Sequence, residues 1–188
     1  MSGLAFASSV LAAFLLAAAA LRVLMMRPPP HRSNGVWRID LSLGSERAGL
    51  YGKAFTAWHS LFALRVPESI YFSANRDCEG NRLECGNTYS IEGHDPDTRW
   101  WSLTAYKKNH LIPNPARRYS FSQTTVARYQ DGSWKIRLSP SEQAENWLPS
   151  GKPEGRLGLI LRLYGPSHDV LSRPWTIPLP VIRKEKSA

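Results

Sequence analysis

Short runs of alternating apolar and polar residues, cut apart by proline and glycine, constrain this chain more than any other feature. They lie at residues 36–41, 69–75, 87–92, 99–106, 124–129, 133–138, 157–164 and 174–182. Alternation with a period of two puts one face of a strand inside and the other outside. In 36–41, Trp37, Ile39 and Leu41 share one face while Arg38 and Asp40 share the other. Fourteen prolines argue against long helices and for many turns. Asp131-Gly132, between two of the runs, is a strong hairpin-turn dipeptide. About eight short strands with turn signals between them predict a mainly β fold, an antiparallel β-sandwich or barrel.

Two stretches depart from this pattern. Residues 4–21 carry no charged side chain and approach the roughly 20 residues needed to span hydrocarbon. Arg22 interrupts, residues 23–26 extend the apolar surface, and Arg27 followed by three prolines stops any helix. A cleaved signal sequence fits as well, with Ala18-Ala19-Ala20 as the small-residue site, but the continued apolar surface favours a retained anchor. Residues 1–27 are therefore read as a transmembrane anchor or signal segment, 28–35 as a Pro-rich linker and 36–188 as the sandwich domain. Within that domain Leu50, Ala54, Ala57, Trp58 and Leu61 fall at helical spacing, which predicts one amphipathic helix over 46–64 with Ser45 as its cap.

Charge and cysteine usage bear on compartment. The net charge of +9 is spread over 24 Lys and Arg with no long basic run, and no nucleic-acid-binding motif accompanies it. Arg22, Arg27, Arg32 and Arg38 follow the apolar segment, so the positive-inside rule places the domain in the cytoplasm. Cys78 and Cys85 point the other way. A turn at Gly80-Asn81 would join 69–75 to 87–92 as a hairpin and bring the two thiols together, and a disulfide persists in an oxidising compartment. Two unrelated thiols fit the same spacing.

Certain residues stand in one order: Tyr71-Phe72, Tyr89-Ser90-Ile91, the stretch 101–106, the stretch 114–119, Asp131-Gly132-Ser133, 146–149 and 161–164. In that order the chain resembles, over 66–183, the bacterial family called domain of unknown function 1214. The resemblance implies a jelly-roll-like β-sandwich. It also implies a short member in which a membrane segment stands where relatives carry a companion sandwich domain. An inner-membrane protein with its soluble domain facing the periplasm is the expectation that follows. No catalytic residue comes with the resemblance.

The residues themselves show no catalytic motif. His31, His59, His94, His110 and His168 lack metal-ligand spacing, no Gly-x-Ser-x-Gly elbow is present, and neither a metal nor a cofactor is expected. What remains is a polar and aromatic set: Tyr106, Asn114, Arg117, Arg118, Tyr119, Asn146, Trp147, Arg162 and Tyr164. Arginine forks and flat rings suit carboxylates, phosphates or sugars. Arg162 is the sharpest of these, because an arginine in an apolar strand needs a partner. The expected function is a membrane-anchored envelope module that binds a small anionic or sugar ligand, or an envelope protein. The alternative is a hydrolase-like enzyme with a site around Arg117, Tyr119 and Arg162.

Overall fold

The computed structural model of the chain describes residues 3–26, 31–39, 41, 45, 48–59 and 64–185. Helix α1 (Gly3–Met25) is long and apolar enough to cross a membrane, and a signal sequence would satisfy the same test. The remaining elements are β1 (Arg32–Asn34), β2 (Trp37–Ile39), α2 (Leu50–His59), β3 (Ser69–Ala74), β4 (Tyr89–Gly93) and β5 (Thr98–Lys107). After these come β6 (His110–Leu111), β7 (Ser120–Ser122), β8 (Trp134–Ser139), β9 (Trp147–Pro149), β10 (Leu157–Pro166), α3 (His168–Ser172) and β11 (Val181–Lys184). They form two sheets. The larger runs β1-β2-β3-β10-β5-β6, with β7 also on β5, and the smaller runs β11-β4-β8-β9. Every pairing is antiparallel except β8 with β9, so the smaller sheet is mixed.

Alternation builds the core as the sequence predicts. On β10 it buries Leu157, Leu159, Leu161 and Leu163, and on β5 it buries Trp101, Leu103 and Ala105. Phe72 joins them from β3, and Ile91, Trp134, Ile136 and Leu138 come from the smaller sheet. Trp101 and Trp134 stack at 4.9 Å and tie one sheet to the other. Each buried indole removes about 200 Å² from water, on the order of 5 kcal/mol by transfer before entropy is counted. β10 is central, flanked by β3 and β5.

Four expectations need correction. β3 and β4 form no hairpin, since β3 pairs with β2 and β10 while β4 pairs with β8 and β11. The loop between them crosses from sheet to sheet. Its turn is local: buried Asp77 accepts the N–H groups of Glu79 and Asn81, and Arg76 bridges Arg82. Cys78 therefore lies inside the turn and Cys85 three residues beyond the bridge, about 10 Å of extended chain. The expected disulfide is absent. Both cysteines are free, Cys78 exposed and Cys85 buried in the core.

Residues 124–129 form no strand either, keeping only the Arg128–Trp134 bridge. The Ser122 side chain meets those of Thr124 and Thr125 at 3.1 Å, and the backbone turns there instead of extending. Part of the expected linker is sheet, because Gly35, at φ +59°, turns β1 back onto β2. The expected helix is described as α2, and residues 46–47 and 60–63 of that expectation, like 28–30 of the linker, lie outside the described residues. The proline-broken 174–180 segment straps the β1–β2 hairpin before β11 takes the sheet edge. Pro180 O accepts from Trp37 Nε1 and Ile177 O from Asn34 Nδ2, each at 2.7 Å.

Candidate functional site

The face of the larger sheet turned away from the core carries the side chains that β10, β5 and β3 do not bury. On β10 these are Gly158, Ile160, Arg162 and Tyr164, and on β5 they are Trp100 and Tyr106, while Ser102 and Thr104 share that face of the strand but are themselves buried. Register sets Arg162 between Tyr71 on β3 and Ser102 on β5. Its guanidinium donates to Thr104 Oγ1 at 3.1 Å and to Tyr106 Oη at 2.6 Å, and lies 5.6 Å from the Tyr106 ring centroid. Trp100 and Tyr164 meet at 5.2 Å on the same face.

The chemistry of this arrangement turns on what Arg162 lacks. Both its partners are neutral hydroxyls, and among the described residues no carboxylate pairs with it. A guanidinium has five N–H donors, so about three remain for a further acceptor. A half-buried cation without a counter-charge favours an anion beside it. Gly158, opposite Tyr106, leaves space on that face, because a side chain there would meet only Ala74 O at 4.0 Å.

The structure sorts the predicted residues into three groups. Tyr106, Arg162 and Tyr164 share the outer face. Asn114 closes its own loop, its amide donating to the carbonyls of Ile112 and Arg118 and accepting from Arg118 N–H. In that loop Arg117 is exposed at φ +50°, Arg118 lies over the Phe121 ring at 4.8 Å, and Tyr119 is 38% exposed. Asn146 and Trp147 belong to the smaller sheet. Asn146 pins the 127 strand-like segment and Lys135, and Trp147 Nε1 donates to Ser139 O at 3.0 Å. Sequence reading missed Thr104 and Tyr71 as neighbours of Arg162, and Gly158 as the residue opposite Tyr106. The alternation of β5 held the signal for Thr104, which falls on the same face as Tyr106.

The smaller sheet shows the opposite electrostatics. Lys135 bridges Glu92 at 3.0 Å and Glu185 at 3.1 Å, and Arg183 reaches Glu92 at 3.4 Å. The hydrogen bond from Lys135 holds the Glu92 carboxyl below its ordinary value. Burial alone would lower the Lys135 ammonium, but bonds from the two carboxylates outweigh it and raise it. A cavity of about 860 Å³ opens beside this network, lined by His94, Asp95, Tyr129, Trp134 and Lys135 among others. Asp95 there is already held by Arg128 at 2.8 Å and by Trp101 Nε1 at 2.9 Å. Glu92, Asp95, Lys135 and Arg183 at this cavity are thus each paired with an opposite charge, whereas Arg162 on the other sheet has no such partner among the described residues. Among the described residues no cluster of three His, Cys, Asp or Glu could hold a metal ion.

Comparison with known families decides the relationship. The profile of the family described as "Protein of unknown function (DUF1214)" matches residues 68–168. The chain belongs to this family. The match takes in β3 through β10 and so covers Arg162 and its hydroxyl partners. No curated protein matches the sequence. The crystal structure of the VPA0106 protein from Vibrio parahaemolyticus shares the fold, with a TM-score of 0.61 and 24% identity over 74% of this chain and 36% of that one. An uncharacterized protein from Burkholderia cenocepacia, with a TM-score of 0.42 and 16% identity over 63% of this chain and 30% of that one, is too distant to carry an argument. The chain thus spans about a third of the length of these two proteins.

Proposed function

We propose that this DUF1214 protein is a membrane-anchored binding module of the cell envelope, and that Arg162 anchors a small anionic ligand on the outer face of the larger sheet. One observation carries the reading: among the described residues Arg162 has hydroxyl partners and no carboxylate. A carboxylate, a phosphate or an acidic sugar would supply the missing charge, with Tyr106 and the Trp100–Tyr164 pair offering rings beside it. The space over Gly158 admits the ligand. A hydrolase-like reading around Arg117, Tyr119 and Arg162 has less support, because among the described residues neither Thr104 nor Tyr106 is bonded to a histidine or carboxylate that would act as base.

In this reading α1 is the anchor and the domain faces the periplasm, which rests on the signal-like N-terminus and on the resemblance to short anchored members. The free cysteines remove the redox argument for that side. A reporter that works only outside the cytoplasm, fused after Ala188, gives activity; activity from a cytoplasm-only reporter contradicts the orientation.

The binding reading is tested with the full chain in lipid nanodiscs, titrated with small carboxylates, phosphate, sulfate, uronic acids and their neutral sugar counterparts. Acids bind saturably, Arg162→Met weakens them roughly tenfold or more, and Gly158→Val blocks them while the thermal midpoint stays close to that of the wild type. Equal binding of neutral sugars, or unchanged affinity in both variants, contradicts the reading.

A further inference from the structure

We propose that α2 is a membrane-docking helix, lying in the headgroup region of an anionic bilayer beside the point where α1 leaves the hydrocarbon. The proposal rests on the reading of α1 as an anchor. The apolar span Ala5–Met25 has 21 residues, about 31 Å of helix, against a hydrocarbon core of about 30 Å. Leu24 therefore lies at the boundary of that core.

The last carbonyls of a helix have no partner within it. Tyr51 Oη donates to Leu24 O at 3.0 Å, which fixes the first turn of α2 at the depth where α1 ends. Tyrosine favours this level of a membrane, with its ring toward the apolar side and its hydroxyl toward water. The Tyr51 ring also meets Phe55 one turn on, at 6.1 Å.

The faces of α2 differ in the way docking requires. Tyr51, Gly52, Phe55 and Thr56 are half-buried, whereas Leu50, Lys53, Ala54 and Ala57 are exposed and fall at the i, i+3, i+4, i+7 positions of one face. Leu50 is 89% exposed, the most exposed large apolar side chain among the described residues. Lys53 is the charged residue on that face, and its stem lies along apolar surface while its ammonium reaches lipid phosphates. The chain's net charge of +9 favours the same partner.

The test reconstitutes the full chain, carrying Cys78→Ser to remove the exposed thiol, in vesicles of phosphatidylcholine and phosphatidylglycerol. An environment-sensitive fluorophore is attached at Leu50→Cys or, in a second variant, Ala54→Cys. Docking predicts blue-shifted emission at both positions and loss of most of it when the lipids carry nitroxide quenchers. If the protein floats with the vesicles but both labels remain water-like and unquenched, the docking proposal is overturned and the anchor stands. Failure to float overturns the anchor reading, and docking with it.

Discussion

Arg162 and Leu161 are consecutive on one strand, yet they meet opposite surroundings: the leucine is sealed between two sheets and the guanidinium bonds hydroxyls on the outer face. The sequence makes the oddity of Arg162 legible, because a charge in an apolar run stands out. Tyr106 stands in the same predicted set, but its bond to Arg162, and that of Thr104, depend on register between strands, which the sequence does not show. Cys78 and Cys85 show the reverse case, in which short spacing suggests a contact that the fold denies. Burial also pushes the Cys85 thiol up, with a smaller opposing pull from Lys107. A brief maleimide treatment near neutral pH should thus add one label to the folded protein, at Cys78, and two after denaturation. Absence of label in both states would restore the disulfide.

At the scale of elements, strands with strict alternation were readable because tertiary packing agrees with the local pattern. β8 and β10 are the clearest instances. Short elements were not readable: β7 and α3 have three and five residues, too few for a period to emerge, and they exist because β5 and the Ser167 cap supply partners. Position in a sheet also escaped the sequence, as β3 and β4 show by lying in different sheets despite adjoining turn signals.

The β4–β8–β11 ion network gives a pH prediction. Glu92 is held below its ordinary 4.5, so its contribution is complete above that value and fades as pH falls through the lowered one. Lys135 is held above 10.5, so its contribution persists below that value and fades only at more alkaline pH. The groups are partly exposed, so each pair contributes only ~0.2–1 kcal/mol. Urea unfolding of Lys135→Met should show a shallower loss of stability below pH 4.5 than the wild type. Identical acid limbs would remove the network from the account.

For the whole molecule, the mainly β class and the apolar N-terminal helix were visible from patterning and length alone, and the order of strands was not. The fold places charge unevenly between its two sheets. Carboxylates and cations neutralise one another on the smaller sheet, while the larger sheet holds an arginine whose side-chain partners among the described residues are hydroxyls. The proposed recognition runs through that arginine, and the NMR signal of the Arg162 side-chain Nε–H reports on it directly. In the full chain in nanodiscs, titration with the acid that binds should move this signal saturably, with the same midpoint as overall binding. A stationary Arg162 signal, with shifts confined to Arg117 and Arg118 in the exposed loop, would contradict the account.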